Sequence, residues 1–149
     1  MTNKAYQVSG YPLPRFVSLS KSTTNVRAGP GQQYPIQWVY NRANIPVEVT
    51  LEYGNWRKIK DFDGQEGWVY HTLLSGKRMA FIHGEAPIDA FKKPFGKDEK
   101  PFKIFILEPN SLVKIKECID LWCKIEASSF SGWIERKSLW GVYEHEIID

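Results

Sequence analysis

Few side chains in this sequence are of a type and spacing that could do covalent chemistry. His71, His83 and His145 share neither an H-x-x-x-H nor an H-E-x-x-H spacing, so no metal site is expected. No serine sits in a nucleophile-elbow context, and neither Cys118 nor Cys123 lies near a plausible base. Asp61 and Asp63 flank a turn and read as Asx-type turn chemistry rather than as an acid–base pair. The string Asn25-Val26-Arg27-Ala28-Gly29-Pro30-Gly31 superficially resembles a phosphate loop. It lacks the Lys-Ser/Thr and the following helix, which excludes nucleotide binding. The expectation is a protein that is not an enzyme and carries no cofactor and no metal.

Chemistry of recognition is better represented. Arg27 offers a planar fork of five donors, able either to bond carbonyls at the base of its own loop or to reach a ligand carboxylate. Gly29 and Gly31 are read as turn residues that permit positive φ, with Pro30 presetting the turn. Aromatic residues make up 14% of the chain, including 6 Trp, 7 Tyr and 8 Phe. Of Trp56, Trp68, Trp122 and Trp133, at least two are expected to be core or barrel-end plugs. A second reading makes them a flat platform for a sugar, a proline or a peptide backbone, extended by Tyr34, Trp38, Tyr40 and Tyr70. Trp38 and Tyr40 share a strand face by alternation and are the pair best suited to touch a ligand. The candidate ligand-binding set is therefore Arg27, Tyr34, Trp38, Tyr40, Trp56 and Tyr70.

The elements that must position these groups are short. Runs rich in Val, Ile, Tyr and Trp, broken by Gly, Asn, Asp and Pro, predict strands at Ile36–Tyr40, Pro46–Glu52, Trp56–Asp61, Gly67–His71, Lys103–Leu107, Val113–Cys118, Trp122–Ala127 and Gly132–Ile134. The class is all-β, a barrel or sandwich. Within it the chain repeats. Trp56-Arg57-Lys58-Ile59 recurs as Trp122-Cys123-Lys124-Ile125 and Gly67-Trp68-Val69 as Gly132-Trp133-Ile134, with one residue lost in the turn between. Two small units follow, 15–78 and 79–145, joined by Ser75-Gly76-Lys77-Arg78 without a Gly/Ser- or Pro-rich linker. That connection predicts barrels packed against each other. Lys92–Lys103 is the most polar stretch and is expected to be an exposed loop.

The 149 residues carry a net charge of +3, split as +5 over residues 1–78 and −2 over 79–149. This is well short of a nucleic-acid binder's excess, and no apolar run approaches the roughly 20 residues that cross a bilayer as a helix. Met1–Gly10 contain no apolar leader.

The string Asn25–Gly31, followed by Tyr34-Pro35, Asn55-Trp56, Asp63-Gly64 and Gly67-Trp68-Val69, resembles the bacterial SH3-like (SH3b) domain. Leu13–Leu19 and Ser138–Val142 are similar to the tandem form found in exported proteins of Gram-negative bacteria, particularly alphaproteobacteria. The resemblance implies two tandem SH3-like barrels, the second divergent: its counterpart of the Arg27 string, Pro87–Pro94, has lost Arg and both Gly. It also implies a non-catalytic envelope module that recognises a peptide, peptidoglycan or an envelope protein. An acidic peptide, such as a peptidoglycan stem peptide, would lie over the first barrel's aromatics near Arg27, Arg42 and Arg57. An interaction or scaffold protein with no small ligand is the alternative.

The two cysteines are either buried thiols or a short-loop disulfide. Under the repeat, Cys118 falls on Glu52 and Cys123 on Arg57, positions opposed across a hairpin with a four-residue loop. That favours a Cys118–Cys123 disulfide and an oxidising compartment, the periplasm or another exported location, with the leader removed.

Overall fold

The computed structural model describes residues 6–149, and it divides into two compact units, the first ending at Lys77 and the second running from Arg78 to Asp149. In the first, a single turn of helix α1 (Tyr6–Ser9) precedes β1 (Arg15–Leu19), β2 (Thr24–Arg27), β3 (Ile36–Tyr40), β4 (Pro46–Tyr53), β5 (Trp56–Lys60), β6 (Glu66–Tyr70) and the two-residue β7 (Leu74–Ser75). In the second come β8 (Met79–Ile82), β9 (Ile88–Phe91), β10 (Lys103–Leu107), β11 (Leu112–Ile119), β12 (Trp122–Ala127), β13 (Phe130–Glu135) and β14 (Leu139–Trp140).

Each unit is one antiparallel sheet of seven strands. The orders are β3-β2-β6-β5-β4-β1-β7 and β10-β9-β13-β12-β11-β8-β14, the same path shifted by seven strands. The repeat extends to irregularities. The β4–β5 ladder slips between Val49 and Leu51, and the β11–β12 ladder slips between Ile115 and Glu117, 66 residues later. Asn44 and Asn110, at the same offset, both take left-handed conformations at φ 69° and 67°. The residue lost between repeats sits in a turn. Asp61–Gln65 form a five-residue loop tied by Asp61, whose Oδ1 accepts the Asp63 and Gln65 N–H groups. Its counterpart, Ala127–Phe130, is one residue shorter, with Ser128-Ser129 as the turn between β12 and β13.

Alternation builds the cores. Val26, Val47, Val49, Ile59 and Val69 point inward from β2, β4, β5 and β6 and are fully buried. Ala90, Val113, Ile115, Ile125 and Ile134 take the same places in the second unit. Gly67 lies where β6 crosses β2, and a Cβ there would come within 2.4 Å of Val26. Only glycine fits that approach.

None of the four matched tryptophans is a core plug. Trp56, Trp68, Trp122 and Trp133 are half-buried on outward-facing positions, while their neighbours Arg57, Val69, Cys123 and Ile134 turn inward. Trp38 and Tyr40 are the aromatics that pack on the first core.

Cys118 and Cys123 are register partners and form a disulfide, as the repeat predicted. Glu52 and Arg57 are partners in the same register and form an ion pair at 3.1 Å, with the Glu52 side chain wholly buried. The hairpin loops are two residues long rather than four. Pairing continues to Tyr53↔Trp56 and Ile119↔Trp122, and Gly54 and Asp120 turn at φ 53° and 52°.

Candidate functional site

In the first unit, β2, β6 and β5 are adjacent, and their register decides which side chains meet. Arg27 is opposite Trp68, Lys58 opposite Trp68 on the other side, and Trp56 opposite Tyr70. Residues opposite one another share a face, and here it is the outer one because Val26, Ile59 and Val69 occupy the inner. Asn25, Arg27, Gln32, Trp56, Tyr70 and Leu73 line a cleft of about 200 Å³ on that face. Trp56 meets Tyr70 edge to face at 5.5 Å, and Tyr70 continues to His71 at 5.0 Å.

Arg27 is held at the cleft by its own loop. Its Nη1 donates to the carbonyls of Gln32 (3.2 Å) and Tyr34 (3.0 Å), and Ala28 N–H closes the loop onto Pro35 O (3.0 Å). Among the described residues no bond from its Nε or Nη2 accompanies these two. Both roles foreseen for Arg27 are thus compatible: one nitrogen anchors the loop and the rest of the fork is available. Gly29 and Gly31 do not take positive φ, contrary to expectation. Gly29 is small because Tyr34 lies over it, its ring 2.5 Å from where a Cβ would be.

Of the six candidate residues, Arg27, Trp56 and Tyr70 come together in the cleft. Tyr34 stays exposed on the adjoining loop and contributes its carbonyl to Arg27. Trp38 and Tyr40 are elsewhere. Trp38 pairs with Val26 and therefore shares its inward face, Tyr40 meets it edge to face at 6.0 Å, and both pack on the core. Tyr40 donates its hydroxyl to Asp61 Oδ2 at 2.6 Å, and burial, reinforced by that carboxylate, pushes its pKa up. The pair fastens the core to the Asp61 loop rather than presenting a ligand platform. Arg57 is also structural: it is 7% exposed, pairs with Glu52 and donates to Gly54 O and Trp56 O. Arg42 is exposed in the β3–β4 connection. Asn25, Gln32 and Leu73 were not foreseen. Asn25 was legible, since it stands two residues before Arg27 and so shares its face of β2.

The second unit has changed this place. Phe91, opposite Trp133, takes the position of Arg27, Trp122 that of Trp56, and Glu135 that of Tyr70. Phe95, from the β9–β10 loop, lies against Trp122 (5.0 Å) and Phe91 (4.7 Å), with Gly96 and Lys97 beside it. The Lys92–Lys103 stretch is largely exposed, as expected, but it sends this one ring inward.

Paired seven-stranded antiparallel sheets, each curled about its own small core, place the molecule among tandem SH3-like proteins. The bacterial SH3 domain family matches residues 20–76 and 97–141, more than half of the chain, and the chain belongs to that family. Among solved structures it is similar to NlpC1 and NlpC2 of Trichomonas vaginalis, at 11% and 13% identity with TM-scores of 0.39 and 0.38. These likenesses cover 93% and 87% of this chain but 50% and 49% of the others, so it spans about half their length. No curated protein matches it. No helix among the described residues is long and apolar enough to cross a membrane, and a disulfide in a bacterial SH3 domain fits an exported protein.

Proposed function

We propose that this chain is a non-catalytic, periplasmic or otherwise exported binding module whose first unit recognises a peptide, either a peptidoglycan stem peptide or a segment of an envelope protein. The observation that carries the reading is the cleft in which Arg27 stands beside the Trp56–Tyr70 pair with no carboxylate among the lining side chains. Its partly free guanidinium suits a ligand carboxylate, and the aromatic wall suits a peptide backbone or apolar side chain. Among the described residues no group of three or more His, Cys, Asp or Glu is placed to hold a metal ion. Stem peptides carry carboxylates, which is why the wall is the first ligand to test. The protein should pellet with purified sacculi, and Arg27→Gln or Trp56→Ala should reduce the pelleted fraction several-fold. If all of the protein stays in the supernatant, the cell-wall form of the reading fails and the protein-partner form is left.

A further inference from the structure

From the comparison of the two clefts we infer that the first unit docks a protein segment that inserts one aromatic ring between Trp56 and Arg27 and carries carboxylates on either side of it. The inference rests on the peptide-binding reading above and names the ligand within it. The second unit supplies the pattern. There the loop joining β9 to β10 is closed by Lys92 N–H on Phe102 O (2.9 Å) and by a turn in which Glu99 N–H donates to Gly96 O (3.1 Å). Its Phe95 sits on Trp122 and Phe91, so the chain's own Lys-Lys-Pro-Phe-Gly-Lys segment, Lys92–Lys97, covers the Trp122–Phe91 corner and leaves a cleft of about 260 Å³ beside it.

Lys97 and Glu135 line what remains of that cleft together. Asp89, two residues before Phe91, is the local equivalent of Asn25. Lys97 of this basic segment thus stands at a cleft edged by Glu135, which pairs with Lys137 (3.2 Å), while Asp89 pairs with Lys103 (3.2 Å). In the first unit a positive charge is gained and two negative ones are lost: Arg27 stands for Phe91, Tyr70 for Glu135 and Asn25 for Asp89. The loop there places Gln32, not a ring, at the rim and leaves about 200 Å³ open. An apolar cavity of about 150 Å³ is enough for benzene, so the space accommodates a phenyl side chain. The ring would lie against Trp56 with the Arg27 guanidinium beside it, an arrangement aromatic rings favour. Carboxylates in place of the lysines of the second unit's segment would then meet the free Nε and Nη2 of Arg27 rather than Glu135.

The test uses the full chain and blocked pentapeptides, read by the six tryptophan indole N–H resonances. Acetyl-Glu-Pro-Phe-Gly-Glu-amide should move the Trp56 indole. The same peptide with Ala for Phe should bind at least about tenfold more weakly, the factor expected for one buried ring. The Lys-flanked peptide should bind several-fold more weakly in low salt. Equal binding by the Ala peptide, or by the Lys-flanked one, overturns the inference. If a peptidoglycan stem peptide moves Trp56 and the Phe peptide does not, the inference falls while the peptide-binding reading stands. If no peptide moves Trp56, both fall. In Phe95→Ala the Trp122–Phe91 corner should be uncovered, and the Lys-flanked peptide should then move the Trp122 indole; a folded variant in which it does not overturns the inference. If that variant does not fold, the wild-type peptide series still decides.

Discussion

Removing the Glu52 carboxylate should destabilise the first unit severely, because the charge is buried and three donors converge on it. Arg15 Nη1 reaches Glu52 Oε2 at 2.9 Å, Arg57 Nε reaches it at 3.1 Å, and Ser9 N–H donates to Oε1 at 3.1 Å. In Glu52→Ala the Arg57 guanidinium stays buried with only the Gly54 and Trp56 carbonyls as partners. Stranding one member of a buried pair costs about 3–5 kcal/mol, and the two retained carbonyls favour the lower end, about 3 kcal/mol. For a unit of this size each kcal/mol lowers the melting midpoint by about 4–8 °C, so a drop of at least about 12 °C is expected. Urea unfolding followed by tryptophan fluorescence, paired with calorimetry, reads both quantities. Replacing both partners, as in Glu52→Met with Arg57→Met, should recover much of the loss, since no buried charge is then stranded. If Glu52→Ala unfolds within about 1 kcal/mol of the parent, or the double variant is the worse of the two, the reasoning is wrong.

Tyr40→Phe removes the 2.6 Å bond to Asp61, and the first unit should lose about 1.5–3 kcal/mol, the usual worth of a hydrogen bond to a charged group, measured by urea midpoint. Unfolded, non-reduced protein should contain no titratable thiol; reduction should lower the second unit's stability by about 2 kcal/mol, the chain-entropy figure for a six-residue loop, and two reactive thiols before reduction would sink the disulfide. Both units should lose stability in acid. Burial raises the Glu52 and Glu146 carboxyl pKa values, but the donors around them outweigh it: Ser9, Arg15 and Arg57 for Glu52, Arg78 and Tyr143 N–H for Glu146. Folded-state values below the unfolded ones mean stabilisation that is fully present above the ordinary carboxylate pKa of about 4.3 and lost as pH falls through the folded value. Unfolding free energy measured from pH 6 to pH 3 should fall, and less steeply in Glu52→Gln.

The repeat was the most legible feature, because strands with one inward face per hairpin preserve residue type at fixed spacing. Matching Cys118 with Glu52 and Cys123 with Arg57 located both a disulfide and a buried ion pair. The short strands β1, β2, β7, β8, β9 and β14 escaped detection. In β2 the inward residues are Thr24 and Val26, too polar and too few to make a pattern. The site was legible as residue types but not as a grouping. Arg27, Trp56 and Tyr70 meet only through β2–β6 and β6–β5 pairing, which sequence does not reveal. Strand β3 misled for a related reason: alternation put Trp38 and Tyr40 on one face but could not say which. The structure exposes Ile36 and Val39 and turns the larger aromatics inward.

The indole spectrum tests the first-unit cleft most directly, because the tryptophans report different places. A soluble digest of sacculi, or the Phe-bearing acidic peptide, added to isotope-labelled full chain should move Trp56 first and furthest. Trp38, on the core, and Trp122, under Phe95, should stay in place. Movement of Trp122 or Trp38 with Trp56 unmoved would contradict the assignment of binding to the Arg27–Trp56–Tyr70 cleft.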